Sequence, residues 1–369
     1  MSNNNYQIYF DCGFSRLRAG AFNKTNLNQA FYAESNFLFD HTKINLEIQE
    51  IISFLEKNTN EYINDINLMV DSPEMLSVGI SISKKIDGSK LRREDVQFLV
   101  QEAKQQILNH YNNKSIIHII INNYKINDID YDYFPEDIKC SFISLDIFFV
   151  CIPEKIIEYF KNFFYKSNIS INQITCSSYA KAINYKDNFS FNENISFIDV
   201  GFNKTSIITY IDNKVISLDV LPVGGNHITK DISKVLKIDL KLAENLKIDF
   251  CKDELFLNNN DFSLDLLQKI VFARTEEILE MSAQSIKLNL IKADQYKMIL
   301  TGDGSKILDN KYKDKISFLN DIDFLEETKE DICQSALRLG MRFNKQEVVV
   351  VPKKQIKQGF FEKLFHFFK

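Results

Sequence analysis

The chain has 369 residues, of which 45% are hydrophobic and 26% are charged. This length suits two lobes better than one simple core, and the composition predicts a globular protein. The formal net charge of -5 argues against a nucleic-acid partner, because proteins that bind nucleic acids usually carry a basic face. The 6 cysteines are scattered without a C-x-x-C pair, and the histidines have no metal-ligand spacing. We therefore expect neither a disulfide framework nor a metal site.

The predicted elements begin with a hairpin. A strand at Gln7–Phe10 leads through the turn Asp11-Cys12-Gly13 into a second strand at Arg18–Phe22. Apolar residues at helical spacing then predict a helix over Leu46–Asn60. An apolar run predicts a buried strand at Ile66–Val70, so the chain opens as a mixed α/β domain.

Residues 77–165 have their own succession of elements. The predicted order is a strand at Ser77–Ile82, a helix at Arg93–Tyr111, strands at Ile116–Ile121 and Phe142–Ile152, and a helix at Glu154–Tyr165. Pro153 precedes the last helix, as proline commonly does at a first helical turn. This pattern predicts a β-α-β-β-α subdomain inserted into a larger domain.

The second half opens as the first does. A strand at Ile195–Val200 ends in Asp199-Val200-Gly201, and strands at Thr205–Tyr210 and Val215–Val220 follow. Further on, the pattern predicts one helix that begins near Thr229, a second at Leu264–Leu290 and a third at Ile332–Gly340. It also predicts a strand at Met298–Leu300. Two halves that each open with strand-Asp-x-Gly-strand predict an internal duplication.

Three glycine turns follow strands at comparable places, at Gly13, Gly201 and Gly302. Glycine lets backbone N–H groups approach phosphate oxygens, and an aspartate two residues earlier reaches a magnesium ion through water. A single Asp-x-Gly turn is equally typical of an ordinary hairpin, because both residues favour turns. Two Asp-x-Gly turns followed by a third glycine turn at Gly302, in this order, predict a nucleotide site between the halves.

Three segments resemble a known family. Pro222–Ile232, with the sequence PVGGNHITKDI, is similar to the signature that follows the second phosphate hairpin of the bacterial actin-like cell-division protein FtsA. Ala243–Lys247 and Ala273–Ile278 are similar to family segments beside the ribose and before the nucleoside turn. The resemblance covers nearly the whole chain, although residues 15–75 match only in layout. It implies an actin-like ATPase fold: two duplicated lobes around a nucleotide cleft, an inserted subdomain and a C-terminal amphipathic helix.

The resemblance also implies a division into domains. The first lobe is expected to comprise residues 1–76, 166–194 and 326–343, and the subdomain inserted into it comprises residues 77–165. The second lobe is expected at 195–227 and 296–325, with its upper subdomain at 228–295. A linker at 344–355 and a membrane-targeting helix at 356–369 follow.

The nucleotide site that the resemblance implies binds ATP with magnesium. Its expected residues are Asp11, Gly13, Ser15, Asp199, Gly201, Thr205, Gly224, Gly225, Glu244, Lys247, Gly302, Gly304 and Ser305. Phe14, Phe202 and Asp303 depart from the family pattern, while Arg16 and Lys204 carry charges that compensate. We see no general base, so we expect no catalytic residue and at most weak ATP hydrolysis.

The resemblance implies protein partners as well. Arg274 and Glu277 match the family positions that bind the C-terminal tail of the tubulin-like division protein FtsZ, and they share one helix face. An exposed ion pair within the helix is the plainer interpretation of the same spacing. The resemblance also implies self-assembly into a polymer and contacts of the inserted subdomain with other division proteins. It implies no nucleic-acid partner.

Residues 356–369, with the sequence IKQGFFEKLFHFFK, form the last predicted element. Their apolar residues fill about half of a helical wheel at ~100° per residue, and lysines surround them. This composition is typical of a helix at a membrane interface, although such a helix could also dock on the folded protein. The resemblance implies that this helix attaches the protein peripherally to lipids of the cytoplasmic face of the inner membrane, at the division site. The residues expected to enter the lipid are Phe360, Phe361, Leu364, Phe365, Phe367 and Phe368.

Two alternatives remain open. A pilus-assembly scaffold of the PilM type shares the fold and a similar glycine signature, but such chains usually lack an amphipathic tail. A phosphotransferase of the actin-like superfamily needs an intact phosphate cradle and a positioned general base, and the glycine turns here are eroded.

Overall fold

A computed structural model describes residues 4–36, 44–189, 194–252, 263–289, 296–307, 322–342 and 347–348. The helices are α1 (Ile44–Thr59), α2 (Arg93–His110), α3 (Glu154–Tyr165), α4 (Ser177–Lys186), α5 (Gly225–Leu236), α6 (Leu240–Lys252), α7 (Leu264–Asn289) and α8 (Lys329–Arg342). The strands are β1 (Tyr6–Cys12), β2 (Arg16–Asn23), β3 (Ala30–Asn36), β4 (Asp65–Val70), β5 (Leu76–Lys85), β6 (Lys114–Ile126), β7 (Ile129–Tyr131), β8 (Phe142–Pro153), β9 (Ser170–Thr175), β10 (Ile195–Val200), β11 (Thr205–Ile211), β12 (Lys214–Leu221), β13 (Lys297–Thr301), β14 (Ile322–Phe324) and β15 (Glu347–Val348).

Two five-stranded sheets have the same construction. The first has the order β3-β2-β1-β4-β9 and the second the order β12-β11-β10-β13-β14. In each, an antiparallel three-stranded meander is extended by two strands that run parallel to its first strand. The predicted internal duplication is therefore confirmed. Because β1 and β10 run parallel to β4 and β13, the glycine turns and the ends of these inner strands lie at one edge of each sheet.

The inserted segment forms a third sheet with the order β15-β6-β8-β5. Its side chains alternate between two cores, as the period of a strand requires. Ile119, Ile147 and Phe149 pack toward α2, whereas Phe148 and Val150 join the core of the first lobe.

Helix α3 connects this segment to the first lobe. Phe164 of α3 meets Phe10 of β1 edge to face, with ring centroids 5.6 Å apart, and both side chains are fully buried. Burial of one phenylalanine contributes ~1.5–3 kcal/mol, so the inserted segment shares a substantial part of its core with the lobe. Helix α8 packs on α4, β1 and β2, and it returns the chain to the first lobe.

Several elements differ from the sequence predictions. Strands β3, β7, β9 and β14 and helix α4 were not predicted. Helix α5 begins at Gly225 rather than near Thr229, because its first turn packs directly against the second glycine hairpin. Within the predicted linker, Glu347 and Val348 pair with Ile120 and Ile119 of β6. The predicted membrane helix, 356–369, lies outside the described residues.

Candidate functional site

A cavity of about 690 Å³ lies between the two lobes. Its walls come from the β1–β2 turn, the β10–β11 turn, the turn after β13, helix α6 and the N-terminus of α5. This volume falls in the range of about 300–1,000 Å³ that is usual for small-molecule sites. The position fits the general rule that ligands of α/β proteins bind at the carboxyl ends of parallel strands.

The two hairpin turns at the cleft are closed by the same main-chain hydrogen bond. The Gly13 N–H donates to the carbonyl of Arg16 at 3.0 Å, and the Gly201 N–H donates to the carbonyl of Lys204 at 2.9 Å. Arg16 and Lys204 therefore occupy equivalent positions in the two lobes, and the duplication extends into the site.

The later glycines are required by close approach of the backbone. Gly302 has φ +90°, and a Cβ there would lie 2.4 Å from Asp199 Oδ1. A Cβ on Gly224 would lie 2.5 Å from the carbonyl oxygen of Gly201, and the Gly225 N–H donates to that same oxygen at 3.0 Å. Only glycine allows these contacts, which hold α5 and the third turn against the second hairpin.

A buried ion pair crosses the floor of the cleft. Lys204 Nζ, from the second lobe, donates to Asp71 Oδ2 at 2.7 Å and to Ser206 Oγ at 2.6 Å. Asp71 follows β4 in the first lobe, and its carboxylate also accepts from Cys176 Sγ and from the Ser178 N–H. Burial alone would raise the pKa of Asp71, but the Lys204 ammonium lowers it below its ordinary value.

A second buried lysine joins the lobes beside the first. Lys181 of α4 lies 2.8 Å from Asp199 Oδ2 of the second hairpin and 3.2 Å from Glu327 Oε1. The Tyr185 hydroxyl donates to Glu327 at 2.8 Å. Burial raises the pKa of the Glu327 carboxyl in spite of the attraction of Lys181. One ammonium group is thus shared by two carboxylates from opposite sides of the cleft.

Two arginines bridge the mouth of the cleft: Arg16, which was expected to compensate for the family departures, and Arg18, which was not expected in the site. Arg18 Nη1 lies 3.2 Å from Asp11 Oδ2, and its Nη2 donates to Asp303 Oδ2 at 2.5 Å. Arg16 Nη1 lies 2.9 Å from Glu34 and 3.4 Å from Asp303. Burial opposes ionisation of Asp303, but Arg18 and Arg16 hold its pKa at about 2, so it stays charged at physiological pH.

Helix α6 contributes the pair that the resemblance places at the ribose. Lys247 Nζ donates to Glu244 Oε2 at 2.6 Å, to Thr229 Oγ1 at 2.9 Å and to the Gly225 carbonyl at 3.2 Å. Burial lowers the pKa of Lys247 in spite of the Glu244 carboxylate. The pair ties α6 to the start of α5.

Most of the predicted nucleotide residues come together in this cavity. Those that line it are Asp11, Gly13, Ser15, Asp199, Gly201, Gly225, Glu244, Lys247, Gly302, Gly304 and Ser305, with Phe14, Phe202 and Asp303 among them. Thr205 and Gly224 are not lining residues. The Thr205 hydroxyl instead donates to the Val223 carbonyl at 2.8 Å, and Gly224 lies against the back of the second hairpin.

Sequence reasoning missed Arg18, Asp71, Lys181 and Glu327. Asp71 had a usable signal, because it directly follows the buried strand β4, where the carboxyl ends of parallel strands form sites. Lys181 had none, because α4 is buried along nearly its whole length and shows no amphipathic pattern.

The magnesium ion implied by the resemblance does not fit these residues. Asp11 is already held by Arg18 and by the Ser177 hydroxyl at 2.7 Å, and Asp199 is held by Lys181. Within the described ranges, no three His, Cys, Asp or Glu side chains are grouped so that they could hold a metal. The carboxylates that would face a cation have protein cations as partners instead.

The candidate partner residues lie on the outer face of α7. Arg274 makes a two-pronged contact with Asp231 of α5, at 2.6 and 3.2 Å, and its Nη1 donates to Glu277 at 2.6 Å. The ion pair within the helix therefore forms, and Glu277 is half exposed. The candidate membrane residues, from Phe360 to Phe368, lie outside the described residues, and no helix in the described part of the chain could span a membrane.

Comparison with known proteins gives the family context. The family model described as cell division protein FtsA matches residues 196–267, from β10 to the first turn of α7. FtsA of Buchnera aphidicola subsp. Acyrthosiphon pisum is 24% identical, over 88% of this chain and 86% of its own length. The chain is similar to FtsA over most of its length. The resemblance inferred from the sequence is thus confirmed. FtsA of Borreliella burgdorferi is 23% identical, over 58% of this chain and 56% of its own length.

Among solved structures, the type IV pilus biogenesis complex PilM–PilN matches with a TM-score of 0.61. Its sequence identity is 12%, and the match covers 88% of this chain and 89% of that chain. At this identity the likeness shows the fold alone. Together with the paired sheets and the cleft, it confirms the predicted actin-like ATPase fold.

Proposed function

We propose that the protein is a cell-division scaffold of the FtsA kind, which tethers FtsZ filaments to the cytoplasmic face of the inner membrane and assembles with further copies of itself. The observation that carries the proposal is the FtsA match over residues 196–267. This segment supplies Gly201, Gly225, Glu244 and Lys247 to one cavity. A pilus scaffold of the PilM kind is the weaker candidate, because its structural likeness at 12% identity speaks only for the fold.

The cleft is proposed to bind an adenine nucleotide as a structural ligand. Its volume and the three glycine turns suit a nucleotide, and Glu244 and Lys247, which line the cavity, are the residues that we propose for the ribose. Asp11, Asp71 and Asp199 are engaged by Arg18, Lys204 and Lys181, which makes these carboxylates poor candidates to activate a water molecule. We therefore propose nucleotide binding with little or no hydrolysis.

The FtsZ tail is proposed to bind at Arg274 and Glu277. Arg274 is partly exposed, and its planar guanidinium suits a carboxylate of the peptide, which would compete with Glu277 for Nη1. Glu277 would then face a basic residue of the same peptide. Contacts of this kind set the register of a docked peptide and contribute to its specificity.

The test is titration of a labelled peptide of the cognate FtsZ tail against the variant Arg274→Gln/Glu277→Gln. We expect at least a tenfold loss of affinity, which corresponds to about 1.4 kcal/mol. The matched control neutralises Asp265 and Lys269, an exposed ion pair on the same helix at 2.6 Å, and should leave the affinity unchanged. Equal affinity of both variants and the parent would reject this site.

Attachment to the membrane is proposed to use the segment 356–369. Its phenylalanines would enter the lipid interface while its lysines meet anionic headgroups. Assembly into a polymer would multiply a weak attachment through avidity.

A further inference from the structure

Three cations converge on one carboxylate at the mouth of the cleft. Asp303 receives Arg18 at 2.5 Å, Lys306 at 3.0 Å and Arg16 at 3.4 Å. A single carboxylate has two oxygens and one negative charge, so one cation would neutralise it. A group of three neighbouring cations suits phosphate, through charge-assisted hydrogen bonds from arginine and a point charge from lysine.

The two arginines are held in place independently of Asp303, whereas Lys306 is half exposed. Arg18 is 9% exposed and is also fixed by Asp11, while Arg16 is fixed by Glu34 at 2.9 Å. With Asp303 in place, the three cations face three carboxylates. If Asp303 moved into solvent, the same three cations would keep Asp11 and Glu34 as their ion-pair partners within the described part of the chain, and this group of five would carry one net positive charge.

We propose that Arg16, Arg18 and Lys306 form the phosphate site of this cleft, that they bind nucleotide phosphates without a divalent cation, and that Asp303 competes with the nucleotide for them. The proposal rests on nucleotide binding by the cleft. It follows from two observations: the three cations line the cavity, and the carboxylates that would hold magnesium are occupied by Arg18 and Lys181.

Asp303 is able to leave the cluster. Its side chain is 34% exposed, and it stands at the start of a short 3-10 helix directly after Gly302. Rotation of this one side chain would free the cations, whereas Lys204 and Lys181 are buried and have partners on the opposite lobe. Asp303 therefore lowers the affinity of the cleft for nucleotide without preventing binding.

The experiment measures ATP binding by calorimetry to the full chain, with EDTA and separately with magnesium. Asp303→Asn keeps the shape of the side chain and removes its charge. We expect it to bind ATP at least tenfold more tightly than the parent in EDTA, since it removes a like charge beside the phosphates. Asp303→Asn/Arg18→Met should lose this gain. Glu280→Gln removes one charge from an exposed residue of α7 that does not line the cavity, and it should change the affinity less than twofold.

Each outcome decides the matter. If the parent binds ATP and Asp303→Asn binds no more tightly, or if binding requires magnesium, the proposed competition is wrong while nucleotide binding stands. If no variant binds ATP under either condition, both the competition and the nucleotide role of the cleft are wrong. Unfolding temperatures measured without ATP verify that each variant is folded. Binding of the FtsZ tail peptide is an independent readout of the scaffold function.

Discussion

Removal of the Lys204 ammonium should strongly destabilise the protein. Lys204 and Asp71 are 6% and 7% exposed, and their charged atoms lie 2.7 Å apart. Lys204→Met leaves the Asp71 carboxylate buried without its cation, and breaking a buried pair in this way costs ~3–5 kcal/mol. Asp71 keeps donors from Cys176 and from the Ser178 N–H, so we expect a loss near 3 kcal/mol, at the lower end of that range.

The assay is urea denaturation of the parent, Lys204→Met, Asp71→Asn and the double variant. A chain of two lobes need not unfold in one step, so variants should be compared by transition midpoints at an unchanged slope. The free energy of unfolding that the double variant loses should be smaller than the sum of the losses of the two single variants, by about 0.5–3 kcal/mol. The reason is that neither charge is left unpaired in the double variant. Lys269→Met removes an exposed cation and should shift the midpoint far less.

The dependence on pH provides a second readout. The folded pKa of Asp71 lies below its ordinary value of 3.8, so the pair contributes fully above that pH, and its contribution is lost as the pH falls further. In Lys204→Met the largest opposition to burial is gone, so we expect this pKa to be higher than in the parent and the carboxyl to become protonated at a higher pH. The difference in stability between parent and variant should therefore shrink toward acid pH. A loss of stability below 1 kcal/mol in Lys204→Met at pH 7, or a difference between parent and variant that increases toward acid pH, would refute the reasoning.

Two further predictions concern the cleft and the tail. Millimolar ATP should raise the melting temperature by mass action. Lys247→Ala should weaken that rise, because Lys247 connects Glu244, Thr229 and Gly225 at the expected ribose position. A thermal-shift titration checks this, and an equal rise in the parent and the variant would contradict it. Phe361→Glu/Phe365→Glu should abolish co-sedimentation with anionic vesicles, because each change places a charge on the apolar face, whereas full pelleting would mean that the tail is a packing element.

The sequence predicted those parts of the fold that have a local signature. The bounds of Glu154–Tyr165 agree with the structure because Pro153 marks the start of the helix, and those of Ile195–Val200 agree because the strand ends at a glycine turn. By contrast, the strand SINQIT of β9 mixes polar and apolar residues, and α4 is buried on nearly all sides. Neither has the periodicity on which such predictions depend.

The candidate site divides in the same way. Its glycine turns were visible in the sequence because a glycine after a strand has a local conformational reason. Its ion pairs were not, because they join residues far apart in the chain: Lys204 pairs with Asp71 across 133 positions, and Arg18 pairs with Asp303 across 285 positions. Nothing near either residue in the sequence specifies its partner, and only the closing of the two lobes brings the charges together.

These ion pairs bear on how a scaffold of this fold can work. Asp71 and Arg18 belong to the first lobe, and their partners Lys204 and Asp303 belong to the second, so each pair resists opening of the cleft. A third pair, Lys181 with Asp199, acts in the same sense. In a cleft closed by magnesium and nucleotide, the orientation of the lobes depends on the ligand. Here the side chains themselves supply opposite charges across the gap, so the closed arrangement of the lobes is favoured even without the ligand. A nucleotide would then adjust this balance by displacing Asp303, whereas Lys204 and Lys181 would continue to hold the floor of the cleft together.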